Sequence, residues 1–198
     1  FELLGENTLN GDAGNDILLG AGHINTLRGG TGDDVLVGAG RANTLLGEDG
    51  SDLLVAIGDS AVFDVQGGAG DDIVVEQAIG AVVSGGVGND LIASLGRLAQ
   101  VSGGDGRDVI WLGGVQSSVD AGIGDDWVLD YHADLLAGTG PARSDNVVRT
   151  GDGADTVVSF GAYSRIDSGS GNDLVLSFGA GASVLLGDGD DSAAVAGG

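Results

Sequence analysis

The sequence predicts an all-β fold, a parallel β-roll (β-solenoid) of about ten 18-residue coils. Three observations predict it: a fixed-period repeat, glycine at the same turn positions in every unit, and two aliphatic columns in step with the repeat. Aspartates that follow a Gly-x pair and precede an apolar triplet stand at Asp16, Asp34, Asp52, Asp72, Asp90, Asp108, Asp126, Asp155, Asp173 and Asp191. Their spacing is 18 except for one step of 20 and one of 29, and self-similarity at a fixed period is the mark of a stacked repeat. Each aspartate anchors one coil, numbered 1 to 10 below.

Each coil reads as two short strands and two turns. Two residues before every anchor stands a glycine: Gly14, Gly32, Gly50, Gly70, Gly88, Gly106, Gly124, Gly153, Gly171 and Gly189. Two residues before these a second glycine stands in most coils, among them Gly30, Gly68, Gly86, Gly104, Gly122, Gly151 and Gly169. Glycines at this density exclude a helix, since each costs roughly 1 kcal/mol in a helix interior. Two residues after the anchors run Leu18, Leu36, Leu54, Val74, Ile92, Ile110, Val128, Val157, Val175 and Ala193. Seven residues before them run Leu9, Leu27, Leu45, Val65, Val83, Val101, Val119, Val148, Ile166 and Val184. Strands this short hold no sheet alone. Stacked ~4.8 Å apart, ten coils make a rod of about 48 Å with the two columns meeting in a thin core. Residues 1–198 read as one such roll, a segment of a larger protein.

Composition narrows the function. Thirty carboxylates face 7 basic residues, all arginine, for a net charge of -23. Phosphate recognition needs a basic face, so nucleic acid is excluded as a partner. Without cysteine there is no disulfide framework or thiolate metal site; without lysine there is no P-loop and no Schiff-base chemistry. A hydrophobic share of 42% is too high for a disordered acidic chain. Folding therefore requires that something neutralise the carboxylates, and no nucleophile–base–acid set is visible, so the segment is not an enzyme.

The segment Gly29-Gly30-Thr31-Gly32-Asp33-Asp34-Val35-Leu36-Val37 fits G-G-x-G-x-D-x-U-x in full, as do the runs from Gly67, Gly85 and Gly103; this nonapeptide is a known calcium-binding repeat. The chemistry is that of a hard cation. Ca²⁺ takes six to eight oxygens in flexible geometry, whereas Mg²⁺ dehydrates reluctantly and zinc prefers nitrogen or sulfur. Glycines let main-chain carbonyls converge, and the anchor aspartates supply charge. Asn15, Asp33, Asp71, Asn89, Asp125, Asn172 and Asp190, one residue earlier, add oxygens. The metal-ligating set is thus the anchors Asp16 to Asp191, their turn glycines, and Asp33, Asp71, Asn89 and Asp125. Nine gaps lie between ten coils, and nine Ca²⁺ would bring the charge from -23 to about -5.

The chain resembles the RTX (repeats-in-toxin) family along essentially its whole length, and in its 18-residue period it is similar to the carboxy-terminal repeats of the multifunctional autoprocessing RTX toxins. The motif comes once per 18 residues, so one edge alone is expected to carry calcium; the other has Gly-x-Gly turns such as Gly20-Ala21-Gly22. The resemblance implies type I secretion of a large bacterial toxin, folding in extracellular calcium, and engagement of a host cell surface or membrane. The alternative is a structural or adhesive spacer in a surface protein.

Two further features stand out. If the triplet's middle residue points inward, its flanks, including Ile17, Leu19, Val35, Val37, Leu53, Val55, Trp111 and Trp127, form an apolar outer face fit for self-association, another domain or a membrane. Tyr131, Phe160 and Phe178 form a stacking ladder at the metal-free turn. The 29-residue step holds an insertion within 131–144, with His132, Asp134, Pro141 and Arg143, which is expected to interrupt the row of metal sites.

Overall fold

The structure, a computed structural model, describes residues 5–58, 62–131 and 143–197. Strands alternate between two ten-stranded parallel sheets, so every coil gives one strand to each. In coil 2 these are Ile24–Thr31 and Val35–Ala39; in coil 6 they are Gln100–Asp105 and Val109–Leu112. The register is that of the repeat: Leu27 pairs with Leu45 and Leu36 with Leu54. Parallel strands need a crossover, and here the crossover is the opposite strand of the same coil.

Both irregular steps are absorbed at the turns. Ala39 pairs with Ile57 and Ala42 with Val62, so the two extra residues of the 20-residue step lie between Ile57 and Val62. Across the 29-residue step Val119 pairs with Val148 and Val128 with Val157. The insertion therefore leaves both sheets continuous; residues 132–142, with His132, Asp134 and Pro141, lie outside the described residues.

The aliphatic columns meet as expected. Leu27, Leu45, Val65, Val119 and Val148 face Leu36, Leu54, Val74, Ile110 and Val128, all with no exposed surface. The terminal coils are thinner: Leu9 and Val184 are only partly buried. The middle residue of each triplet does point inward, which turns its neighbours out. Ile17 and Leu19 are 73% and 66% exposed, Trp111 46% and Trp127 38%. Among the described residues no charged side chain stands on the outward face of this second sheet, whereas the first presents Thr26, Asp64, Gln100, Asp120 and Arg165. Phe160 stacks on Phe178 with centroids 5.2 Å apart and meets Tyr131 edge-on at 6.1 Å, so the aromatic ladder forms.

The interior is not wholly apolar, and this the repeat analysis missed. Along the edge opposite the aspartates, Asn7 Nδ2 donates to Asn25 Oδ1 at 2.8 Å, and Asn25 Nδ2 to Asn43 Oδ1 at 2.7 Å. In the fourth coil Phe63 fills that position. Farther along, Asp130 is completely buried: its Oδ1 accepts from Asn146 Nδ2 at 2.8 Å, and its Oδ2 from Ser159 Oγ at 2.7 Å and Ser164 Oγ at 2.8 Å. Most buried polar groups in folded proteins are paired in this way.

Because each half-coil buries only one or two apolar side chains, truncation leaves a void that neighbours cannot close. Ile110→Ala should lower stability by about 2–5 kcal/mol, read as a shifted urea midpoint in saturating calcium.

Candidate metal centre

Each anchor aspartate sits where a turn re-enters the second sheet. The turn demands left-handed backbone: Gly104 and Gly106 have φ of 125° and 139°. A side chain at Gly106 would also strike the Gly88 carbonyl of the coil below, so glycine here permits both the turn and the stacking. Where the sequence has Asp12 and Glu48 instead, they take the same left-handed region, at φ 69° and 78°.

The turns stack the aspartates into one column. The Asp34 N–H donates to Asp52 Oδ1 at 2.8 Å, Asp52 to Asp72 at 2.8 Å, Asp72 to Asp90 at 2.9 Å, and Asp90 to Asp108 at 2.9 Å. The ladder runs from Asp16 to Asp191. It crosses the insertion unbroken, with Asp126 N–H donating to Asp155 Oδ1 at 2.8 Å; Tyr131, the last described residue before the added segment, lies on the far edge from the aspartates.

Only half of each carboxyl is satisfied. Oδ2 of Asp16, Asp34, Asp52, Asp72, Asp90, Asp108, Asp126, Asp155 and Asp173 is buried with no hydrogen-bond partner. Nine orphaned anionic oxygens in one line are far outside the few expected of a folded domain. Burial raises the carboxyls of Asp52, Asp72, Asp90, Asp108, Asp126 and Asp155; the N–H from the coil below counteracts it, and neighbouring carboxylates add to the rise. Asp72 and Asp126 reach about 7 and Asp108 about 6.

In coils 1 to 6 Oδ2 lies beside a glycine that the candidate set omits, five residues before the anchor. A methyl on Gly29 would collide with Asp34 Oδ2 and with the Gly47 carbonyl oxygen of the next coil. The same pair of oxygens flanks Gly11, Gly47, Gly67, Gly85 and Gly103. The signal was the first letter of the motif, read as a turn requirement; these glycines keep a slot open between two oxygens. Among the described residues no three carboxylate or histidine side chains converge, so an ion here must draw most of its ligands from main-chain carbonyls, as Ca²⁺ accepts.

The residues preceding the anchors are placed differently. Asn15 Oδ1 accepts the Asp33 N–H at 3.0 Å, Asp33 Oδ1 the Ser51 N–H at 3.0 Å, Asp71 Oδ1 the Asn89 N–H at 2.7 Å, and Asp125 Oδ1 the Ala154 N–H at 2.9 Å. They form a second, exposed column on the solvent rim, where their first task is to cap the coil above. The pair of hydrogen bonds from Asn89 holds Asp71 below the usual carboxylate range.

The model of the RTX calcium-binding nonapeptide repeat, in four copies, matches residues 4–27, 19–54 and 100–115. No curated protein matches the chain. These repeats bind calcium, and the orphaned carboxylate column with its open slots fits that ion.

Metal-free stability should fall as pH rises. A carboxyl whose folded pKa is raised binds its proton more tightly in the rod than in the unfolded chain, so its contribution is present at low pH and lost as pH climbs through the folded value. For Asp72, Asp108 and Asp126 that window is about pH 4 to 7. In chelator the β signal should be greater at pH 5 than at pH 8, where the ionised carboxylates hold the chain open, and saturating calcium should abolish or invert the difference.

Proposed function

We propose that this chain, which is an RTX calcium-binding β-roll, is a calcium-triggered folding segment of a large secreted bacterial toxin, and is not itself catalytic. The carrying observation is the column of nine buried carboxylate oxygens without partners. Where calcium is scarce, as in cytoplasm, these groups repel one another and the chain stays open, the state that suits export through a type I channel. Outside, at the ~10⁻⁴–10⁻³ M affinities of extracellular modules, ions held between coils join binding to folding. A permanent structural or adhesive rod is the second reading, favoured by the Asn7–Asn25–Asn43 ladder, which needs no metal.

Far-ultraviolet circular dichroism separates the two. A steep coil-to-β transition on adding calcium, absent with magnesium, is expected; a β spectrum complete in chelator would leave the rod reading. Asp90→Ala should weaken two adjacent gaps, shifting the midpoint to higher calcium and lowering cooperativity.

The uncharged outer face of the second sheet is the partner surface of this segment, and a second copy is its occupant. The face spans about 48 Å by 16 Å, and two such faces bury ~1,500 Å², the size of a stable interface. A net charge of -23 and the absence of basic residues from the face oppose an anionic membrane. Sedimentation velocity in calcium should give a dimer, and Val75→Glu a monomer with unchanged β signal. A monomeric parent protein overturns the pairing, and its binding to phosphatidylcholine vesicles would assign the face to lipid.

A further inference from the structure

The slot five residues before each anchor divides the ten coils into two groups. In coils 1 to 6 the position is glycine, and the two oxygens beside it, Oδ2 of the anchor and the carbonyl of the next coil, close around the place a Cβ would take, with no side chain between them and no hydrogen-bond partner on Oδ2. In coils 7 to 9 the same position holds Ala121, Thr150 and Ser168. The last two carry hydroxyls aimed into the slot. Thr150 Oγ1 donates to the Ser168 carbonyl of the next coil at 2.9 Å, and Ser168 Oγ donates to the Leu186 carbonyl at 2.8 Å. These acceptors correspond to the carbonyls of Gly29, Gly47, Gly67, Gly85, Gly103 and Ala121, which flank the six open slots. Ala121 has no donor, but it is fully buried and its methyl fills what glycine leaves empty.

We infer that calcium enters only the six gaps fronted by Gly11, Gly29, Gly47, Gly67, Gly85 and Gly103, and that Ala121, Thr150 and Ser168 close the last three gaps with protein atoms. The reasoning is steric and chemical. A cation needs both slot oxygens free; a hydroxyl proton already on the carbonyl removes one, and the atom bearing it occupies the space. A hydroxyl is the neutral substitute for the ion there, tying coil 8 to coil 9 and coil 9 to coil 10 across the same gap. The Oδ2 atoms of Asp126, Asp155 and Asp173 stay without partners, but an isolated carboxylate oxygen lacks the converging carbonyls that Ca²⁺ requires. The row is thus shorter than the ten repeats suggest. This inference rests on the calcium reading above and narrows it.

The test is a count of bound ions. Radiolabelled calcium is equilibrated with the chain by dialysis at saturating free ion, and bound calcium is measured against protein concentration. Six ions are expected; nine would overturn the inference, and none would overturn the calcium reading itself. Thr150→Gly reopens one slot and should bind seven, whereas Thr150→Ser keeps the hydroxyl and should remain at six. Should Thr150→Gly fold, by its β spectrum, and still bind six, the hydroxyl is not what closes the gap. Gly85→Thr runs the exchange in reverse and should lose one ion; because that slot is crowded, its count is read only on material that retains the β signal, and an unchanged count there also refutes the idea.

Discussion

The rod depends on how coils ~4.8 Å apart stack oxygens on oxygens without repulsion. Hydrogen bonding handles part of the problem: each Asp Oδ1 meets the N–H of the coil below. The other oxygen has no such answer. Its orphaned state, repeated from coil to coil, is a standing electrostatic debt that protons or a divalent ion can settle. The thin core alone cannot carry it, because each half-coil buries at most two aliphatic residues and stability in a solenoid is a sum over neighbours.

That constraint orders the rest of the molecule. The turns carry glycine because a Cβ at Gly106 or Gly29 would occupy space that the neighbouring coil's carbonyl or the anchor carboxyl already holds. The exposed column of Asn15, Asp33, Asp71 and Asn89 caps the outside of the same turns, so the acidic edge is two ladders deep, one capped by protein and one left for the ion. Charge concentrates at this edge and on the first sheet, which leaves the second sheet's outer face free of it.

The period of 18 made the coil, its two strands, the inward columns and the anchor aspartates legible, because each needs only side-chain type at a fixed offset. The apolar outer face was legible for the same reason: alternation in Ile17-Leu18-Leu19 or Val109-Ile110-Trp111 leaves one residue inside and two out. Less visible was everything that depends on which way an oxygen points. Asp33 and Asp34 are adjacent in the chain and alike in chemistry, yet one lies on the rim and the other inside. Gly29 looked like a second turn glycine until its slot was seen. Asn25 and Asp130 were overlooked because an interior polar column runs against the rule that cores are apolar, although Asn7, Asn25 and Asn43 do share the 18-residue step.

The two edges of the rod then read as two solutions to one problem. At the metal-free edge, buried polar groups are met by protein: Asn amides reach from coil to coil, and three side chains surround Asp130. At the aspartate edge of coils 1 to 6 that solution is withheld, since glycine offers no donor. In coils 8 and 9 a hydroxyl crosses the gap and brings the protein's own solution to the metal edge. Direct pairing makes a contact permanent; leaving it to an ion makes the contact conditional on the solution outside. The boundary near Ala121 is therefore where cohesion along the rod changes from conditional to built in.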